Sequence, residues 1–215
     1  MQKTKGEITK QKIYDTAKEM FYTKGYNNTT MKDITTDLGI SLGNLTYYFK
    51  TKDAIVINIF VDYLDNIYEF IKDKVDDGAN SYYKHFFVSI IFYKVILSDS
   101  NNKRFFGEIM AKKSFYRLLS DRISIIYQDF IKDYHLTISQ SEYEGTVIAD
   151  FGARREVMLN YLSGQIKMSI EELTIFLLAN TSKLLGMKEK DIHTTALDAY
   201  TLSQKYDYSQ IKLLT

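Results

Sequence analysis

Apolar residues recur every three or four positions along nearly the whole chain and show no convincing alternation, which is helix spacing rather than strand spacing. In the first segment Ile13, Ala17, Met20 and Phe21 fall on one face, and Gly25 ends it. Thr30 suits the N-cap of a short second helix with the inner stripe Met31, Ile34 and Leu38. Asp33 in its first turn favours the positive helix end. Gly39 closes that helix, because the position just past a helix end takes a positive φ. Ser41 caps a third helix that turns Leu45 and Phe49 inward. Thr51 caps a long fourth one, along Ile55, Ile59, Tyr63, Ile67 and Ile71, which runs out at Asp76-Asp77-Gly78. Helical spacing continues over about 81–98, 103–118, 121–134, 141–163, 170–186 and 189–206. Asp99-Ser100-Asn101-Asn102 and Ser163-Gly164 read as loops, and the expected fold class is all-α.

Composition narrows the picture. The 215 residues fit one large domain or two small ones. A 45% hydrophobic and 26% charged chain excludes a disordered tail, a collagen or a disulfide miniprotein. The absence of Pro fits uninterrupted helices, and the absence of Cys removes disulfides and thiolate zinc sites. No apolar run reaches about 18 residues, so no membrane helix is expected. The lysines of Met1-Gln2-Lys3-Thr4-Lys5-Gly6-Glu7 are followed by no apolar core, so no secretory signal is read and the expected compartment is the cytoplasm. The net charge of +1 says little. Its distribution says more: nine Lys against six acids in residues 1–54 make a basic block on a slightly acidic body, a weak nucleic-acid signal.

Residues 30–49 hold two short helices joined by the tight turn Leu38-Gly39-Ile40-Ser41, the spacing of a helix-turn-helix. In that motif the first helix braces the second, whose outward face enters the DNA major groove. Gly39 allows the turn, Ile40 plugs the angle, and Leu45 and Phe49 anchor the second helix from behind. Ser41, Leu42, Gly43, Asn44, Tyr47 and Tyr48 remain outward, able to touch base edges or phosphates, with Lys50 and Lys52 just beyond, where phosphates would lie.

Thr30-Met31-Lys32-Asp33-Ile34, followed by Leu38-Gly39-Ile40-Ser41-Leu42-Gly43-Asn44-Leu45-Thr46-Tyr47-Tyr48-Phe49-Lys50-Thr51-Lys52-Asp53, resembles the signature of the TetR (tetracycline-repressor) family of transcriptional regulators. Upstream, Ala17-Lys18-Glu19-Met20-Phe21 and Lys24-Gly25-Tyr26 resemble its first helix. The likeness covers about 50 residues, and it departs from the family at Thr35, often Ala there, and at Thr46, where Tyr is common. It implies a helix-turn-helix DNA-binding domain over 1–50 and a larger helical ligand-binding and dimerisation domain over 51–215. By the same resemblance Thr30 and the amides behind it hold a phosphate. Ser41, Leu42, Asn44 and Tyr48 face base edges, and Thr46, Tyr47 and Lys52 set register on the backbone.

The resemblance further implies a homodimer on a palindromic operator, joined by a bundle of the last long helices. The expected seam carries Phe151, Met158, Tyr161 and Leu162 from one helix and Leu173, Phe176, Leu177, Asn180 and Leu184 from the next, with 189–206 as a substitute partner. It implies a pocket for an unknown small-molecule effector, whose binding tilts the fourth helix and changes the spacing of the recognition helices. Phe86, Phe87, Tyr93, Phe106, Phe115, Tyr116, Tyr127 and Phe130 are candidate lining residues, each also readable as plain core. Arg154 and Arg155 lie near the apolar face of Phe151 and Met158, either in an ion pair with Glu108 or Asp150 or as anion ligands.

Other classes fare worse. His85, His135 and His193 are preceded three residues earlier by Tyr82, Lys132 and Lys190, so the Glu-x-x-His of di-iron bundles is absent. Neither a glycine-rich phosphate loop nor a Gly-x-Ser-x-Gly elbow occurs. The expectation is a non-enzyme with no metal and no cofactor. The alternatives are a helical adaptor dimer without DNA binding, or an activator of the same family.

Overall fold

The computed structural model describes residues 4–76, 78–112 and 115–215, with the side chains of 115–123 outside the description. The described residues form helices α1 (Lys5–Lys24), α2 (Met31–Leu38), α3 (Leu42–Tyr48), α4 (Lys52–Ile71) and α5 (Ser81–Ser98). They continue with α6 (Ser100–Met110), α7 (Phe115–Asp133), α8 (Gln140–Leu162), α9 (Ile170–Leu184) and α10 (Glu189–Ser203), and no strand is present among them.

The caps explain the element boundaries at the N-terminal end. Thr30 accepts from the Asp33 amide at 3.1 Å while the Asp33 carboxylate accepts from the Thr30 amide at 2.7 Å, a complete capping box. Gly39 sits at φ 62 and its N–H bonds back to Thr35 and Thr36, so the turn into α3 uses a backbone conformation that side chains disfavour. Ser41 and Thr51 accept from the amides of Asn44 and Ala54 and so start α3 and α4.

The stretch 99–102 differs from its reading as a loop. Asp99 ends α5 and its carboxylate caps α6 through the Asn102 amide at 2.7 Å, so the polar residues after it are first-turn helix residues. The helix expected over 103–118 therefore begins at Ser100 and ends at Met110, and the next begins at Phe115.

α1, α2, α3 and the start of α4 pack into a small head around Ile13, Phe21, Ile34, Leu45 and Phe49. α5 is the centre of the body, touched by α4, α6, α7, α9 and α10. One apolar cluster runs through both parts, from Ile13 to Leu214, so the boundary expected after residue 50 is a change of packing partners rather than a gap in the core.

Candidate nucleic-acid interface and the helices behind it

α3 divides its residues by side. Leu45 and Phe49 are fully covered, with Lys10 over the Phe49 ring at 5.7 Å. Ser41, Leu42, Gly43, Asn44, Tyr47 and Lys50 are exposed on the other side. Tyr47 is 81% accessible and Leu42 52%, so this face presents open aromatic and apolar surface beside its polar groups. A Cβ on Gly43 would meet nothing nearer than Ser41 Oγ at 3.9 Å, so the glycine gives this face a flat spot where another backbone can approach.

Four expected contacts sit differently. Lys52 points back into the head: its Nζ donates to the carbonyls of Tyr26 and Thr29, each at 2.6 Å, and lies 3.8 Å from the Tyr26 ring centre. Its charge is committed to closing the α1–α2 loop, which corrects its reading as a phosphate ligand. Burial, and then the Lys112 charge, hold its ammonium below the ordinary lysine range. Tyr48 is half-buried beside Gly6 at the start of α1, 5.0 Å from the Tyr47 ring, so Tyr47 carries the open aromatic surface. The Thr46 hydroxyl donates to Gly43 O at 3.2 Å. The Thr30 hydroxyl donates to Asp33 at 2.7 Å, so any phosphate at that helix start must be met by backbone amides.

The head is fastened to α6 by polar groups. Tyr22 donates to Asp99 at 3.0 Å, and Arg104 Nη2 donates to the carbonyls of Tyr22 and Thr23 at 2.6 and 3.1 Å. Glu108 accepts from the Asn27 amide at 2.8 Å. Gly25 sits at φ 86, a backbone conformation that side chains rarely adopt, and a Cβ there would also displace the Glu108 carboxylate, 2.7 Å away. Lys112 pairs with Asp53 at 3.2 Å and donates to Tyr26, which in turn donates to Asp53.

In the body, Phe86, Phe87, Tyr93, Phe106, Tyr127 and Phe130 are all buried, and the side chains of Phe115 and Tyr116 lie outside the described residues. Of the two partners considered for Arg154, the structure selects Asp150: Nε donates to its carboxylate at 2.6 Å. Tyr127 and Thr181 donate to the same carboxylate, and Arg154 also reaches Thr181 and, at 3.4 Å, Tyr93. A charge matched in this way is not available to an anionic ligand. Arg155 pairs with Glu156 and donates to Ala111 O at 3.1 Å, so it ties α8 to the end of α6.

The expected dimer seam divides. Phe151, Met158, Leu173 and Leu177 are buried inside their own subunit, a correction to the seam. Tyr161, Leu162 and Asn180 are half-buried, while Phe176 and Leu184 are exposed. The sequence reading passed over Ile148, 62% accessible on α8, with exposed Gly145, Ala149 and Gly152 beside it. It weighed His85 and Tyr82 only as a metal motif, which is absent, and passed over Ser89. Their signal was a polar stripe at spacings of three and four inside an apolar helix.

Residues 13–59 match the family described as bacterial regulatory proteins, tetR family. The chain is 28% identical over 130 residues to the biofilm operon icaADBC HTH-type negative transcriptional regulator IcaR of Staphylococcus aureus (strain Newman), covering 56% of this chain and 70% of the relative. It is 26% identical over 167 residues to the HTH-type transcriptional regulator QacR of Staphylococcus aureus (strain Mu50), covering 76% and 87%. Among solved structures it resembles RolR in complex with resorcinol, with a TM-score of 0.64 at 15% identity over 89% of this chain and 94% of that one. SmeT, the repressor of the Stenotrophomonas maltophilia multidrug efflux pump SmeDEF, gives 0.53 at 15% identity over 83% and 90%. At these identities the structural likeness speaks for the fold alone.

Proposed function

We propose, for a chain that is a TetR-family transcriptional regulator, that it acts as a homodimeric repressor which binds a palindromic operator and leaves it when a small molecule binds the body. The observation that carries this is the division of α3, with Leu45 and Phe49 sealed beneath and Ser41, Asn44 and Tyr47 open together on top. IcaR is described as a negative regulator and SmeT as a repressor, which supports repression over activation. RolR was solved with resorcinol, which supports a small-molecule effector.

Two heads on one operator require two copies of the chain. The exposed small and apolar residues of α8 and α9, Ile148, Ala149, Gly152, Phe176 and Leu184, support those helices as the seam. The protein works without catalysis, in the cytoplasm with the DNA it controls. The test is a gel shift with the DNA flanking its own gene, run over a salt series. Binding should fall steeply with salt as counterions are released. A dimer that shifts none of that DNA would favour the adaptor reading instead.

A further inference from the structure

Residues 204–215, which follow α10, form no helix, yet Tyr208, Ile211, Leu213 and Leu214 are buried and Tyr206 is half-buried. Side chains hold this strap in place. Tyr206 and Tyr208 both meet the Phe70 ring edge to face, at 6.3 and 5.7 Å, and Tyr206 also reaches Phe87 at 6.3 Å. Lys74 Nζ lies 4.1 Å from the Phe70 ring centre and 5.7 Å from that of Tyr206, while Lys94 Nζ lies 5.5 Å from that of Tyr208. The Tyr208 hydroxyl donates to Ser203 O, which folds the strap back beside the end of α10. Beyond Lys205, the one backbone–backbone bond of the strap among the described residues is internal, from Ile211 N to Tyr208 O at 2.9 Å. Packed rings and apolar burial, rather than a backbone ladder, therefore fasten it to α4 and α5.

The place where it fastens matters. Phe70 is the next-to-last residue of α4, and the opposite end of that helix, at Lys52 and Asp53, is built into the head. The strap issues from α10, which packs on α5 and α9. It thus ties the helices of the body to the far end of the helix that carries the head. A helix of 20 residues is ~30 Å long, so a tilt of ~5° about Phe70 moves its head end by ~3 Å. That is close to one base-pair step of ~3.4 Å, enough to put a recognition helix out of register.

We infer that Tyr206 and Tyr208 are positioning residues for DNA binding: their rings clamp Phe70, fix the far end of α4 and so set where the head stands on the body. The inference rests on reading two heads as placed together on one operator, since only then does head position limit affinity. It makes the strap a point at which a displacement of α10 is passed to α4. A body arrangement that shifts the clamp changes the population of heads at the binding-competent spacing.

The test uses the full chain, whose lack of cysteine lets Lys12→Cys on α1 and Lys190→Cys on α10, both exposed positions, carry spin labels cleanly. Labelled chains are diluted with unlabelled ones, so that pulsed electron spin resonance reads the head-to-body distance within one chain. Tyr206→Ser with Tyr208→Ser should widen that distance distribution. It should also raise the Kd for the DNA flanking the chain's own gene about tenfold, as when one arrangement in ten stays competent. The salt slope should not change, because the phosphate contacts are the same. Tyr206→Phe with Tyr208→Phe keeps both rings and should keep the wild-type distance and Kd. Ile192→Val, buried in the first turn of α10 away from the strap's origin, should lower the melting temperature and alter neither reading. If the serine pair does not fold, Tyr206→Ser alone, at the half-buried position, should widen the distribution by a smaller amount. A serine variant that folds with wild-type distance width, a phenylalanine pair as damaging as the serine pair, or equal widening by Ile192→Val would each overturn the inference. A wild-type chain that binds none of that DNA strikes the repressor reading, and the distance measurement, made without DNA, still decides the clamp.

Discussion

Lys112, just past α6, pairs with Asp53, at the start of α4, at 3.2 Å, and both hold the Tyr26 hydroxyl between them. The contact joins the loop after α1 to the far end of the helix that Arg155 ties to α8. A displacement of α8 therefore has a polar route to the DNA-binding head that does not pass through α4 alone.

This junction has a defined pH range. Burial works against the Asp53 carboxylate, but hydrogen bonds from Tyr26 and Lys112 and the lysine charges outweigh it and hold the group below the usual range. Burial likewise opposes the Lys112 charge, and its Tyr26 and Asp53 partners raise it above the ordinary lysine value. The Asp53 contribution is complete above its unfolded value of 3.8 and is lost as pH falls through the lower folded one. The Lys112 contribution is complete below 10.5 and is lost as pH climbs through the raised value. Lys112→Met should loosen the head equally across neutral pH, seen as faster amide exchange in residues 25–29.

Lys52→Ala should act on stability first. Two charge-assisted hydrogen bonds to Tyr26 O and Thr29 O are lost, at a cost of about 2 kcal/mol in urea unfolding. Lys50→Ala, at an exposed position, should leave stability alone, weaken binding to every DNA sequence and lower the salt slope by about one. The opposite assignment of the two lysines would show that Lys52 leaves its cage on DNA.

Asn44→Ala should change which operator bases are preferred, by about 1–3 kcal/mol at one position of each half-site. Sequence selection on randomised operators measures it. An unchanged preference would move base reading to Tyr47 and Ser41.

Removing one member of the buried pair Asp150 and Arg154 leaves the other unmatched. Arg154→Met should cost about 3–5 kcal/mol in denaturant unfolding, and pairing it with Asp150→Leu should recover much of that loss. His85 adds an acid-side effect. Its folded value of about 3 lies below 6.5, so the unfolded chain takes up a proton that the folded one refuses, and stability declines as pH falls through that interval. His85→Phe should flatten the decline.

Ile148→Asp places a charge on the exposed apolar face of α8. Sedimentation should show monomers that keep the wild-type helix content and no longer shift operator DNA.

Most of the head was legible in the chain itself, because its boundaries are made locally. Thr30, Ser41 and Thr51 cap the helices that begin beside them, and Gly39 turns where its own φ is positive. Asp99 shows the limit of such reading. A polar run marks a loop or a helix start equally well, and the carboxylate's bond to the Asn102 amide decides which.

The amino-acid order by itself determined that the chain is helical, where the head's helices begin and end, and which face of α3 is free, since spacing and caps act over a few residues. Only the tertiary structure decided where buried faces go and how charges are matched. Phe151, Met158, Leu173 and Leu177 have the periodicity of an interface, yet they close their own subunit's core. Lys52 has the position of a phosphate ligand, yet its ammonium donates to two carbonyls some twenty-five residues away in sequence. Apolar periodicity records that a side is covered but not by what, and a charge finds its partner through space rather than along the chain.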